Sequence, residues 1–321
     1  MTTNALIPRE RGDLTGNTIP RVEWRQALDT FLNTLSSPRT AQAYQRAVIE
    51  AMDAIGVDHV VDVTAPMLAE YRGGLVARLD IDAPDRLSPS TVNLKLAGLR
   101  QFLRFCLVTG ITRLSKDAIA FVLKSPKATV EKPYQVLNES ERRRLLQVAE
   151  ESNPREHALV ALALGAGLRV SELVKVKLCD FSQDEAGNWW LLVKMGKGRK
   201  ARFVPVAASV MEIVKLWVKD SGRDLSKRAD RETCLFRTRQ SPRMTSRRAG
   251  QMVKALAQRA GIEKPISPHS LRHTTGIEML RAGASPVVVQ KILGHSSLAT
   301  TSRYLDHLER QDLAEWAFSS V

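Results

Sequence analysis

At four points in this chain a serine and a proline stand directly ahead of apolar residues that recur at helical spacing: Ser37-Pro38, Ser88-Pro89, Ser267-Pro268 and Ser285-Pro286. The pair is a helix-start signal. A serine hydroxyl accepts from an unpaired N–H of the first turn, and the proline ring pre-sets φ where no N–H is needed. A chain punctuated in this way is committed to helices over most of its length. Trp24, Leu28, Phe31 and Leu35 mark a helix before the first pair, and Tyr44, Val48, Met52 and Ile55 mark the one after it, stopped by Gly56. Thr64 is placed to cap a third helix through Leu68 and Tyr71, loosened at Gly73-Gly74. Asp80 to Leu87 reads as a loop. Ser88-Pro89 then opens the longest helix, with Val92, Leu96, Leu99, Leu103 and Cys106 inside and Gly110 at its end. Four helices with short connections predict an all-α domain over residues 21–124. Residues 1–20, polar and broken by Gly12, Gly16 and Pro20, read as a flexible tail.

Residues 125–134 hold two prolines, several charges and no hydrophobic period, and read as a linker. A second domain is expected over 135–321. Asn138 and Glu141 have capping-box spacing. Ala158 to Leu164 is almost wholly apolar, as a buried helix would be, and runs into Gly165-Ala166-Gly167-Leu168-Arg169. Ser171 is the expected cap of the next helix, with Glu172 in the first turn, where a carboxylate complements the positive helix end. Trp189 to Val193 and Arg202 to Val206 are β-rich runs around Gly196-Lys197-Gly198-Arg199-Lys200, a hairpin with a basic, glycine-rich tip. Val210 to Val218 and Met252 to Ala260 add helices. Gly294 closes the helix opened by Ser285-Pro286 and leaves His295 just beyond its end. The fold class is therefore mainly α: an N-terminal all-α four-helix domain, then a mixed, mostly helical domain with a small antiparallel sheet.

Charge narrows the partner. A net charge of +14 points to a polyanion. No apolar run approaches the roughly 20 residues needed to cross a bilayer, and the N-terminus lacks a signal-peptide apolar region. Cys106, Cys179 and Cys234 are widely spaced in apolar contexts and read as core thiols, without a metal-site or disulfide pattern. These features describe a cytosolic protein that handles DNA or RNA. Arg39 and Arg46 on the second helix, and Lys95, Arg100 and Arg104 on the fourth, are candidate phosphate contacts as a set.

The chemistry concentrates late in the chain. His269 and Arg272 sit at i and i+3 on one helical face, and His295 and Tyr304 follow. Phosphodiester transfer needs a nucleophile, charge stabilisation on the non-bridging oxygens, a proton donor for the leaving oxygen and a group that manages the nucleophile's proton. A guanidinium fork suits the second role, and Arg169 and Arg272 are best placed for it. Lys197 can supply a proton, its pKa tuned downward in a crowded cationic site. A phenol is a poor nucleophile until nearby cations favour its anion, a condition that Tyr304 meets. His269 and His273 have zinc-ligand spacing, but the glutamate expected between them is absent and no third ligand is evident. No zinc site is expected there.

In order, Ala-Gly-Leu-Arg-Val-Ser-Glu-Leu (166–173), Gly-Lys-Gly-Arg-Lys (196–200), His-Ser-Leu-Arg-His (269–273), Leu-Gly-His (293–295) and Tyr304 resemble the tyrosine recombinase (phage integrase) family. The nearest likeness is to Xer-like members without an arm-binding domain. Thr40-Ala41-Gln42-Ala43-Tyr44 and Ser90-Thr91-Val92-Asn93 resemble that family's SAM-like core-binding domain. The resemblance implies that Arg169 and Arg272 clamp the scissile phosphate and that Glu172 orients them. It implies that Lys197 protonates the departing 5′ oxygen, His269 manages the proton of Tyr304, and His295 donates a hydrogen bond to the phosphate. Tyr304 would form a 3′-phosphotyrosyl link, which conserves bond energy without metal or cofactor. Arg199 and Lys200 join the candidate DNA contacts, and His273 is expected to support the fold. Implied partners are duplex DNA with inverted-repeat core sites and a homotetramer, or a hetero-tetramer with a related recombinase, on two sites. Leu313, Trp316 and Phe318 form an apolar tail that would dock on a neighbouring protomer or pack within its own chain. Strand relaxation of the type IB topoisomerase kind, or DNA binding without catalysis, are the rival readings; integration, excision and resolution are the roles that recombination would serve.

Overall fold

The computed structural model describes residues 18–126, 135–194, 201–224, 226–238, 240–295, 297, 301 and 304. The chain divides into two compact units, Met1–Glu131 and Lys132–Val321.

In the first unit α1 (Trp24–Asn33), α2 (Pro38–Ile55), α3 (Ala65–Ala77) and α4 (Pro89–Val108) match the apolar periodicity. The serine caps form as expected, Ser37 Oγ accepting from Thr40 N at 3.4 Å and Ser88 Oγ from Thr91 N at 3.2 Å. Inside, Phe31 meets Phe102 edge-on with ring centroids 5.9 Å apart, among Trp24, Met52, Leu96, Leu99 and Leu103. Two details differ from the sequence reading. Thr64 makes no side-chain cap, and α3 continues through Gly73-Gly74. Each helical glycine costs about 1 kcal/mol, a loss that the burial of Leu68 and Leu75 on the same helix offsets. A fifth helix, α5 (Lys116–Val122), capped by Ser115 on Ala118 N, adds Ile119 to the core.

The candidate DNA contacts here divide in two. Arg39 and Arg46 are exposed on α2. Lys95 and Arg100 are engaged within the protein, which corrects their placement on an outward face. Lys95 pairs with Glu50, and Arg100 donates to the carbonyl of Leu123 at the end of α5. Arg104 is half-buried.

The second unit is built around α7 (Pro154–Ala166), whose residues Ala158–Ala163 are buried on every side, as an all-apolar run requires. Around it lie α6 (Glu139–Ser152), α8 (Val170–Leu173), α9 (Ala208–Asp220), α10 (Arg228–Arg231), α11 (Ser246–Arg259), α12 (Pro268–Arg281) and α13 (Pro286–Leu293). The Asn138–Glu141 capping box forms, with Glu141 N on Asn138 Oδ1 at 2.9 Å and Asn138 N on Glu141 Oε2 at 2.8 Å. The sheet runs β1 (Phe181–Gln183), β2 (Trp189–Val193), β3 (Arg202–Val206) in antiparallel order, with Phe181 opposite Leu191 and Leu191 opposite Val204. β1, three residues long, carries no period that the sequence reading could detect.

α12 is the most deeply set of the late helices, buried from Ser270 through Ile277. Ser267 caps it on Ser270 N at 3.3 Å, and Thr275 Oγ1 donates to Leu164 O of α7 at 2.8 Å. That bond fastens the helix carrying His269 and Arg272 to the end of the helix that leads into Arg169. No described helix is long and apolar enough to cross a membrane.

Candidate active site

Two left-handed glycines let the site close. α7 ends at Gly167 with φ +57°, where a Cβ would stand 2.6 Å from Leu293 Cδ2 and 3.2 Å from Thr275 Cγ2. α13 ends at Gly294 with φ +67°, where a Cβ would meet the guanidinium of Arg202 at 2.9 Å. A side chain at either position would be strained by the backbone angle and blocked by its neighbours.

The expected cap of α8 is corrected. Arg169 occupies that position, and its N–H is accepted by Glu172 Oε2 at 3.0 Å, while Ser171 lies within the helix. Glu172 is therefore tied to Arg169 twice, because Arg169 Nη1 also donates to Oε1 at 2.9 Å. Arg202, at the start of β3, lays its fork on the same carboxylate: Nη1 to Oε1 at 3.1 Å and Nη2 to Oε2 at 2.8 Å. Arg272 Nη1 is 4.0 Å from Oε2. Burial would raise the Glu172 carboxyl, but hydrogen bonds and charge from Arg202 and Arg169 outweigh it and hold the group at about 2.

The same three guanidiniums serve the C-terminal end of α13. Arg202 Nε donates to Ile292 O at 2.7 Å, Arg272 Nη2 to Leu293 O at 2.6 Å and Arg169 Nη2 to Gly294 O at 2.7 Å. Helix ends leave such carbonyls unpaired and partially negative, and cations complement them. Arg272 Nη1 also donates to Gly167 O at 2.7 Å. Desolvation, followed by the charge of Arg169, lowers the Arg272 guanidinium to about 10, which still leaves it charged at neutral pH. Three arginines facing one carboxylate leave the cluster with an excess of two positive charges.

Beside this cluster the phenol of Tyr304 is fully buried, its hydroxyl 2.8 Å from His273 Nδ1. Its ring lies on Gly276 of α12, where a Cβ would come within 2.7 Å of Tyr304 Cε2. His273, read as support for the fold, is thus in direct contact with the tyrosine hydroxyl. The ring of His269 packs on that of His273 with centroids 4.1 Å apart. His295 lies 5.8 Å from the Tyr304 ring, centroid to centroid, and its Nδ1 is 2.9 Å from Thr301 Oγ1. Burial first, then neighbouring positive charge, lowers all three imidazoles, His273 to about 3 and His295 to about 4, and His269 in the same direction. At neutral pH these rings are uncharged, able to accept a proton or to donate one N–H.

The structure therefore gathers Arg169, Glu172, His269, Arg272, His295 and Tyr304, which are spread over more than a hundred positions of sequence. Lys197, Arg199, Lys200 and the apolar tail Leu313, Trp316 and Phe318 lie outside the described residues. Among the described residues no group of three His, Cys, Asp or Glu side chains is arranged to hold a metal. Arg202, Thr301 and the His273 contact were not anticipated. The signal for Arg202 was present: Val204 and Val206 face the core, and on a strand of period two Arg202 shares their face. An arginine at an inward position announces an internal anion.

Three guanidiniums around one carboxylate, neutral imidazoles and a buried phenol thus form one site, the grouping that the family resemblance implied. Residues 135–311 match the family model described as "Phage integrase family". The chain belongs to that family and is a Xer-like, site-specific tyrosine recombinase. It is 32% identical to tyrosine recombinase XerC of Xanthomonas campestris pv. campestris, over 90% of this chain and 86% of the relative. It is 28% identical to tyrosine recombinase XerD of Listeria innocua, over 86% of this chain and 92% of the relative. In fold it is similar to a lambda integrase tetramer bound to a Holliday junction, with a TM-score of 0.68, 18% identity and coverage of 92% of this chain and 81% of the other.

Proposed function

We propose that this chain cuts and rejoins duplex DNA through a 3′-phosphotyrosyl intermediate on Tyr304. The observation that carries the reading is the burial of the Tyr304 hydroxyl against a neutral His273, beside the guanidinium of Arg272. Arg169 and Arg272 bind the non-bridging oxygens of the scissile phosphate in place of the main-chain carbonyls they now hold. The Tyr304 oxygen forms a bond to phosphorus as the bond from phosphorus to the 5′ oxygen breaks. The phenolic proton passes to an imidazole, His273 being the one in contact and His269 its neighbour. Lys197 returns a proton to the 5′ oxygen, and His295 offers Nε2 to the phosphate while Thr301 holds Nδ1. A 5′ hydroxyl from a partner strand then attacks the phosphotyrosine and restores the tyrosine, so no external energy source is needed.

The substrate in this reading is duplex DNA with inverted core sites, held by four protomers on two sites, within the cytoplasm. Exposed Arg39 and Arg46 supply backbone contacts, and the net charge of +14 supplies the general attraction. A nicked suicide duplex carrying the cognate site should trap the protein covalently, and Tyr304→Phe should abolish the adduct. Equal trapping by both proteins overturns the reading. Exchange between two sites, without relaxation of a plasmid that lacks them, separates recombination from topoisomerase-like activity. Binding should weaken steeply with salt, since each phosphate contact releases counterions.

A further inference from the structure

We propose that Arg202 is a positioning residue for cleavage: its guanidinium bridges Glu172 and the last turn of α13, and so aims Arg169 and the segment leading to His295. The proposal rests on the recombinase reading above. Three donors of one planar group reach three acceptors on two elements, Nε to Ile292 O at 2.7 Å and the two Nη atoms to the two oxygens of Glu172 at 3.1 and 2.8 Å. The side chains of Arg202 and Glu172 are each 10% exposed. Glu172 in turn holds Arg169 through both its main-chain N–H and its Nη1. The position of Arg169 is thus set by a carboxylate that Arg202 sets.

The α13 end depends on the same residue. Gly294 packs so closely on Arg202 that even a Cβ would lie 3.0 Å from its Cζ. His295 follows directly, and its backbone N–H caps Gln290 O at 3.1 Å. Lysine cannot reproduce the arrangement. A single ammonium offers no planar fork that spans a carboxylate and a carbonyl on a neighbouring helix. Arg202 acts on the phosphate through these partners, its Nε serving Ile292 O and each Nη an oxygen of Glu172.

The consequences are specific. Without Arg202 the buried carboxylate of Glu172 keeps one direct guanidinium partner, Arg169 from the start of α8, with Arg272 of α12 at 4.0 Å. Among the described residues, these and Arg202 of β3 are the charged groups that face it. Loss of one raises the carboxyl pKa, because burial is the largest opposing influence on it. Cleavage by an Arg202→Gln variant should therefore fall off on the acid side at a higher pH than wild type does, as the raised carboxyl takes up its proton.

The test is single-turnover cleavage of the suicide duplex by wild type, Arg202→Gln, Arg202→Lys, Glu172→Gln and the double variant Arg202→Gln/Glu172→Gln. Loss of a supporting residue costs on the order of 10- to 100-fold, with DNA affinity changed much less. The double variant should be no slower than the worse single, because both changes remove one interaction. Arg202→Lys should recover only a minor part of the rate. Losses that multiply, an unchanged pH profile for Arg202→Gln, or full activity of Arg202→Lys each overturn the proposal. A readout independent of catalysis separates it from the reading it rests on. The guanidinium resonance of Arg169, assigned by its loss in Arg169→Lys, should shift and broaden in Arg202→Gln. If wild type forms no Tyr304 adduct, the recombinase chemistry falls. If the Arg169 resonance is indifferent to Arg202, the positioning role falls whatever the adduct shows.

Discussion

Replacing Glu172 by glutamine removes one negative charge from the centre of the arginine cluster and leaves its shape almost unchanged. The carboxyl is held at about 2 against an ordinary 4.5, which corresponds to about 3 kcal/mol of stability at neutral pH. The side chain is 10% exposed, so solvent screens little of this, and breaking a buried ion pair from one side costs about 3–5 kcal/mol by comparison with other proteins. The sign follows from the depressed value: the contribution is complete above 4.5 and is lost as pH falls through about 2. At pH 7 the variant should be about 3 kcal/mol less stable, and near pH 3.5 the difference should shrink to about 2 kcal/mol. Urea denaturation in a Trp24→Phe background places the remaining tryptophans in the second unit. With a slope of about 2 kcal/mol per M, the midpoint should fall by more than about 1 M at pH 7. A midpoint within about 0.3 M of wild type, or a gap that does not narrow toward low pH, would refute the role assigned to this carboxylate.

Gly167→Ala should cost about 2–4 kcal/mol, combining a left-handed φ with a methyl 2.6 Å from Leu293. Gly56→Ala, at φ +74° with nothing within 4 Å of its Cβ, should cost only the backbone part, about 1–2 kcal/mol; equal losses in thermal melts would contradict the close packing at Gly167. Acid should weaken the second unit well above the carboxylate range. His273 and His295 are held near 3 and 4, while unfolded imidazoles titrate near about 6.5. The unfolded chain therefore binds protons that the native site excludes, and stability falls as pH drops from about 6.5 toward 3. His273→Asn should show a shallower fall of Tm between pH 7.5 and 5, and an identical slope would count against a neutral, buried His273.

Most helix starts could be read directly. Ser37, Ser88, Ser267 and Ser285 each cap within three residues of themselves, and a bond closed over so short a span depends on little beyond the local sequence. The same locality failed at Ser171. The carboxylate of Glu172 reaches back to the N–H of Arg169, and the charged partners around it favour that arrangement over a serine cap. α3 passes its two glycines because burial on the same helix outweighs their propensity. Arg169, Arg272, His295 and Tyr304 stood out as residue types suited to phosphate chemistry, and Glu172 through the family resemblance. Their geometry was not legible. That Arg202 grips Glu172 from 30 residues away, and that His273 holds a hydroxyl 31 residues further on, depends on how β3 meets α8 and on what packs against α12. The sequence by itself determined most of the helices, their serine caps and the candidate groups for phosphate chemistry, through short-range bonds and chemical type. Only the tertiary structure decided which side chain partners which, because a buried charge or hydroxyl takes whatever partner the packing of distant elements places within about 3 Å of it.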